Sequence, residues 1–299
     1  MATGFDTLIE RARSHAPARV SVAAAQDPEV LEAVKIASEL GLADFTLVGD
    51  RQAIGDISAS IGLDLSRMEL VHEPDSSVAA RRAVELVSRG AAGILMKGLI
   101  GTGDLLRAVL DKDVGLRTGR LLSHCAILKS PRYDRFFYLT DGGMVVAPTL
   151  AEKVQIIQNA VDVAHKLGCE VPKVACVAAV ELVNPDMPAT VDAAILAKMS
   201  DRRQIRGCIV DGPFGLDNAV SLESAKHKGV SGPVAGQADI LLVPDIETGN
   251  VIYKTMVHFG EIEAAAIIAG ARAPIVLTSR SDSPMTRLWS IALAIVVSG

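Results

Sequence analysis

Short apolar runs alternate with amphipathic stretches along the chain, and glycine, proline and capping residues separate them. Residues 19–25 form a mostly apolar run that reads as a strand, Asp27-Pro28 caps and opens a helix, and Gly41 closes it. Residues 45–48 read as the next strand, 51–61 as helix and 68–71 as strand. Asp75 then caps a helix that stops at Gly90 and delivers the chain to a buried strand over 93–96. Repeated strand, helix, strand predicts a parallel sheet covered on both faces.

Past this point the rhythm changes. Residues 111–120 are charged and carry Gly115 and Gly119, which suits a crossing between domains. Residues 124–129 and 136–140 read as neighbouring strands of a hairpin. Thr149-Leu150-Ala151-Glu152 is a capping box that opens a helix to Leu167, ended by Gly168. Strands near Val174, Ile209 and Ile240, each followed by a helical pattern, complete a second α/β unit. A helix-rich stretch around 261–270 then leads back to a strand at Pro274.

Two loops carry the candidate chemistry. The first follows the strand that starts at Pro274: Thr278-Ser279-Arg280-Ser281-Asp282 precedes Ser283-Pro284, an N-cap with a first-turn proline. It offers a hydroxyl donor, a bidentate cation and a base beside backbone N–H groups that favour anions. The alternative is that Arg280 pairs with Asp282 or caps a helix. The second loop runs from Lys97 through Gly98, Gly101, Thr102 and Gly103 into a helix bearing Arg107. Lys97, Arg107 and a helix N-terminus suit a phosphate; the alternative is a surface Lys and Arg flanking an ordinary turn. A dinucleotide fingerprint fails because its third glycine position is Leu106. If both loops serve one site, the ends of the chain must meet. That predicts a first α/β domain of 1–120 plus 271–299, with 121–270 inserted as a second.

Composition narrows the function. The 299 residues fit about two domains. A net charge of −5, no dense Lys/Arg run and 3% aromatics argue against nucleic-acid binding. The apolar run over 288–297 is too short to span a bilayer, and the first ten residues carry acids rather than a signal core, so a soluble cytoplasmic protein without membrane association is expected. Cysteines 125, 169, 176 and 208 have no paired spacing and the histidines form no zinc signature, so no metal is expected. No Gly-x-Ser-x-Gly elbow supports acyl-serine hydrolysis.

Three ordered segments carry a resemblance: 232–245 (Gly-Pro-Val-Ala-Gly-Gln-Ala-Asp-Ile-Leu-Leu-Val-Pro-Asp), 249–254 (Gly-Asn-Val-Ile-Tyr-Lys) and 278–283 (Thr-Ser-Arg-Ser-Asp-Ser). Together they resemble the phosphate acetyl/butyryl transferase family, over nearly the whole chain. The resemblance implies a two-domain αβα architecture like that of the isocitrate and isopropylmalate dehydrogenases, with the site in the interdomain cleft. It implies acyl transfer between coenzyme A and inorganic phosphate, both as substrates, with no cofactor bound permanently. Ser279, Arg280 and Asp282 take the catalytic positions; Lys97, Gly101, Thr102, Gly103, Arg107 and Asn250 take phosphate and CoA. A homodimer or higher homo-oligomer is expected, with an acyl kinase as a partner that uses the acyl phosphate. Acetyl-specific members carry a candidate base Asp where Thr286 stands here, and Asp282 resembles the butyryl branch. A phosphate acetyltransferase and a non-catalytic acyl-CoA or phosphate-binding protein are the alternatives. A metal-dependent dehydrogenase would need clustered aspartates and a nucleotide loop that the sequence lacks.

Overall fold

The structure, a computed structural model, describes residues 4–15, 18–279 and 282–299. From helix α1 (Phe5–Arg13) the chain alternates through β1 (Ala18–Ala23), α2 (Pro28–Glu39), β2 (Ala43–Gly49), α3 (Arg51–Ile61), β3 (Glu69–His72), α4 (Ser76–Ser88), β4 (Ile94–Lys97) and α5 (Thr102–Val109). The middle of the chain forms β5 (Ser123–Lys129), β6 (Phe136–Thr140), α6 (Leu150–Lys166), β7 (Lys173–Val177), α7 (Pro188–Asp201), β8 (Ile209–Phe214), α8 (Leu216–Val220), α9 (Leu222–His227), β9 (Ile240–Leu242) and α10 (Ile246–Phe259). It closes with β10 (Glu263–Ala269), β11 (Ile275–Val276) and α11 (Pro284–Ser298).

Two compact units result. One comprises Phe5–Arg120 and Ala265–Gly299; the other is built on Leu121–Ala264. In the first, strands run in the order β3-β2-β1-β4-β11-β10, parallel except for β10 against β11. In the second the order is β5-β6-β9-β7-β8, parallel except for the β5–β6 pair.

Local signals explain the helix starts. Asp27 and Asp75 accept from backbone N–H groups at the starts of α2 and α4, and Thr149 and Glu152 form the reciprocal box that opens α6. Each such cap is worth about 1 kcal/mol. Helix α11 is apolar on nearly every face and is buried along most of its length, as a helix without a polar side must be. Phe5 stacks on its Trp289 at 4.4 Å between ring centroids.

One expectation fails. The stretch over 261–270, expected to be helical, contains strand β10. Its alanines favour helix in isolation, but Ala264, Ala265, Ala266, Ile267 and Ile268 are all buried, and an element buried on both faces shows no alternation to betray a strand. Ser290 of α11 accepts from the Ala266 N–H at 3.0 Å, tying β10 to the first unit. The chain therefore re-enters that unit at Ala265, six residues before the expected boundary at 271.

Candidate active site

In the first unit β1 leads to β2 and β3 on one side, whereas β4 lies on the other, so the strand order reverses between β1 and β4. Loops leaving the carboxyl ends of parallel strands at such a reversal splay apart and form a crevice. Ala23 pairs with Lys97 and Val276 with Met96, so β1, β4 and β11 end side by side. The backbones stay in contact beyond the strands: Gly98 donates to the Ala23 carbonyl at 2.9 Å and Leu99 to that of Ala24 at 2.7 Å. A Cβ at Gly98 would lie 2.7 Å from the Ala23 oxygen and closer still to that of Ala24, so only glycine fits.

Lys97 is buried at this edge, with Nζ donating to the Gly98 carbonyl at 3.3 Å. Gly101 is the N-cap of α5 and provides no side-chain cap, leaving the amides of Thr102 and Gly103 in the first turn. Arg107 is a rim residue. Its side chain is 78% exposed and pairs with Asp104 at 2.6 Å.

The β11 loop is closed on itself. Ser283 caps α11 by accepting from Thr286 N at 3.1 Å. Asp282 Oδ2 accepts from the Ser279 amide at 2.7 Å, and the Ser279 carbonyl accepts from Asp282 N at 3.2 Å. Arg280 and Ser281 lie outside the described residues. Asp282 thus spends one carboxylate oxygen on the loop's own backbone.

Sequence reasoning missed Arg287. It sits one turn into α11 with only 3% of its side chain exposed. It donates to the carbonyls of Asp282 and, at 3.3 Å, Ser279, and pairs with Glu29 of α2 at 3.4 Å. The signal in the sequence was slight, a lone arginine at the head of the apolar run 288–297; its burial is what demands acceptors.

Asn250 belongs to the second unit, in the second turn of α10, whose N-cap Asp245 accepts from Thr248 N at 2.8 Å. Asn250 itself is exposed, and its amide reaches the Gly142 carbonyl at 3.5 Å. A Cβ at the preceding Gly249 would fall 2.6 Å from the Gly142 Cα, which accounts for the glycine of that segment.

No cysteine is activated. Burial pushes the Cys125 thiol up to about 12 and those of Cys169 and Cys208 up to about 11, and it raises that of Cys176 as well. A thiolate nucleophile needs the opposite shift. Among the described residues no helix is long and apolar enough to cross a membrane, and no three His, Cys, Asp or Glu side chains group as metal ligands.

A sequence model of the phosphate acetyl/butaryl transferase family matches residues 75–295. This chain belongs to that family. Its relatives include the phosphate butyryltransferase of Clostridium acetobutylicum, 52% identical over 299 residues, covering 100% of this chain and 99% of that protein. The phosphate acetyltransferase of Thermotoga maritima is 45% identical, over 98% of this chain and 99% of that one. Among solved structures, a branched-chain phosphotransacylase from Enterococcus faecalis superimposes with a TM-score of 0.83 at 37% identity, covering 94% of this chain and 99% of its own. The family works on CoA-linked acyl groups and phosphate, and this member is an acyltransferase.

Proposed function

We propose that the protein moves a short-chain acyl group, butyryl in preference to acetyl, between coenzyme A and inorganic phosphate. The observation that carries this reading is the full-length 52% identity to a butyryltransferase, in a chain whose Ser279 loop leaves β11 beside the Lys97 end of β4. A phosphate oxygen attacks the thioester carbonyl carbon, the C–S bond breaks, and sulfur departs as the coenzyme A thiolate while acyl phosphate forms. No covalent enzyme intermediate is required, in keeping with thiols whose burial disfavours the thiolate.

The residues divide this work by chemistry. Arg280 and Arg107 hold phosphate through charge-assisted pairs. The Ser279 hydroxyl donates to the thioester oxygen or the leaving sulfur. Holding an alkyl thiol of pKa about 8.5 as thiolate at neutral pH takes about 2 kcal/mol, within reach of one hydrogen bond and a nearby arginine. Asp282 fixes the Ser279 amide with one oxygen, leaving Oδ1 to orient Arg280 or accept a proton. Lys97 and the 101–103 backbone take the remaining phosphates of coenzyme A. No permanently bound cofactor enters this scheme.

Thr286 supports the butyryl preference. It stands where acetyl-specific members carry a candidate base, and here its amide is the group that Ser283 caps. The same reading takes the protein to be a cytoplasmic homo-oligomer, a dimer or larger, whose acyl phosphate serves an acyl kinase.

The test is thiol release from butyryl-CoA and acetyl-CoA, with and without phosphate, in the absence of added metal and nicotinamide. Phosphate-dependent release with a higher kcat/KM for butyryl-CoA is expected. Equal release without phosphate would indicate a thioesterase, and an acetyl preference would make the protein a phosphate acetyltransferase.

A further inference from the structure

We infer that Arg287 is a positioning residue for the acyl-transfer site, the group that holds the Ser279 loop in its working shape. The inference rests on the proposed phosphotransacylase reading for its kinetic consequence, but not for its structural one.

The guanidinium is nearly enclosed and reaches two separate chain segments. From α11 it donates to the carbonyls of Ser279 and Asp282, the two described residues that flank Arg280 and Ser281. The same Nη1 that donates to the Asp282 carbonyl also meets Glu29 in the first turn of α2, immediately after the Asp27-Pro28 cap that follows β1. Ser279 and Asp282 are thus fastened to one planar fork, and that fork is fastened to α2, the helix that follows β1, two strands along the sheet from β11. Asp282 adds the third tie through the Ser279 amide. A loop that must place a hydroxyl against a reacting carbonyl gains rate from being prebuilt, because a small misplacement costs activity steeply.

Stability alone does not account for this arrangement. Burying a guanidinium against a carboxylate that is itself 53% exposed carries a desolvation cost, and apolar replacements of buried ion pairs are often neutral or stabilising. An apolar side chain of similar length would fill the space and release the loop. The fork also distinguishes arginine from lysine, since an ammonium is a point donor that cannot present two coplanar N–H groups to two carbonyls.

The test uses Arg287→Met and Arg287→Lys in the full chain, read by steady-state kinetics and by amide hydrogen exchange of peptides covering 277–286. In the folded protein the Ser279 and Asp282 amides are both hydrogen-bonded within the loop. In either variant, exchange of this segment should rise at least about tenfold while the other strands keep their protection. With butyryl-CoA and phosphate, kcat should fall roughly 10²-fold in Arg287→Met and about tenfold in Arg287→Lys, with KM for butyryl-CoA within about threefold of wild type. If Arg287→Met fails to fold, Arg287→Lys carries the test with the same readouts. Unchanged exchange in the folded variant would overturn the clamp whatever the enzyme does. Faster exchange with wild-type kcat, or a change confined to KM, would overturn the positioning role. A wild-type protein that shows no phosphate-dependent thiol release would instead refute the functional reading, and the exchange data would still report on the clamp.

Discussion

Two loops leave adjacent strands at the same edge of one sheet, and they are built in opposite ways. The loop after β11 is tied at Ser279 and Asp282 before any ligand arrives: Asp282 holds the Ser279 amide, and Arg287 holds the carbonyls of both residues. The loop after β4 is anchored by the buried Lys97 and the backbone contacts of Gly98, but its other cation, Arg107, is largely exposed and pairs with an exposed Asp104. Preorganised groups act on charge that develops during reaction, because no reorganisation is needed at that moment. Exposed cations act mainly in gathering an anion, and their effect is weakened by salt. The comparison assigns chemistry to the first loop and capture to the second.

Arg280 offers the strongest way to break that assignment. If it pairs with desolvated phosphate, Arg280→Ala removes about 3–5 kcal/mol and lowers kcat/KM for phosphate by roughly 10²–10³-fold or more, with the fold unchanged by circular dichroism. Arg280→Lys should regain only part of the loss. A folded Arg280→Ala enzyme with near-normal kcat/KM would move phosphate binding away from this loop.

Asp282 sharpens the comparison by separating a tie from a base. An asparagine keeps an oxygen that accepts from the Ser279 amide, whereas alanine removes it. As a tie, Asp282→Asn should lose less than about tenfold in kcat and Asp282→Ala several times more. If the two variants lose equally, by roughly 10³-fold or more, the carboxylate is acting on a proton.

The smallest effect belongs to Arg107. Its pair with Asp104 is exposed and contributes little to stability. Arg107→Ala should raise KM for substrate by roughly fivefold to tenfold, leave kcat within about threefold, and matter less as ionic strength rises. A large fall in kcat that is insensitive to salt would place Arg107 in the chemistry and erase the contrast between the loops.

Much of this was legible in the sequence, for local reasons. The caps at Asp27, Asp75, Thr149 and Ser283 are decided by a few consecutive residues, and the structure realises each of them. The Ser279 and Gly101 loops were visible as polar bursts after apolar strands. What failed to show was non-local. Strand β10 has a helix-favouring alanine run, and only its place beside β11 and under Ser290 makes it a strand. Arg287 did not show because its acceptors lie on a loop upstream and on α2, the latter more than 250 residues away. Asp282 read as a base or as the partner of Arg280, and its further tie to the Ser279 amide did not show because it depends on loop geometry that no spacing encodes.

Phosphorus NMR during turnover of butyryl-CoA with inorganic phosphate follows the transferred group itself and tests acyl transfer most directly. The account predicts a new acyl-phosphate resonance that grows in step with released thiol, one for one, and reverses when coenzyme A is added back. Thiol release with no new phosphorus resonance would mean that water, not phosphate, takes the acyl group, and would contradict the proposed function.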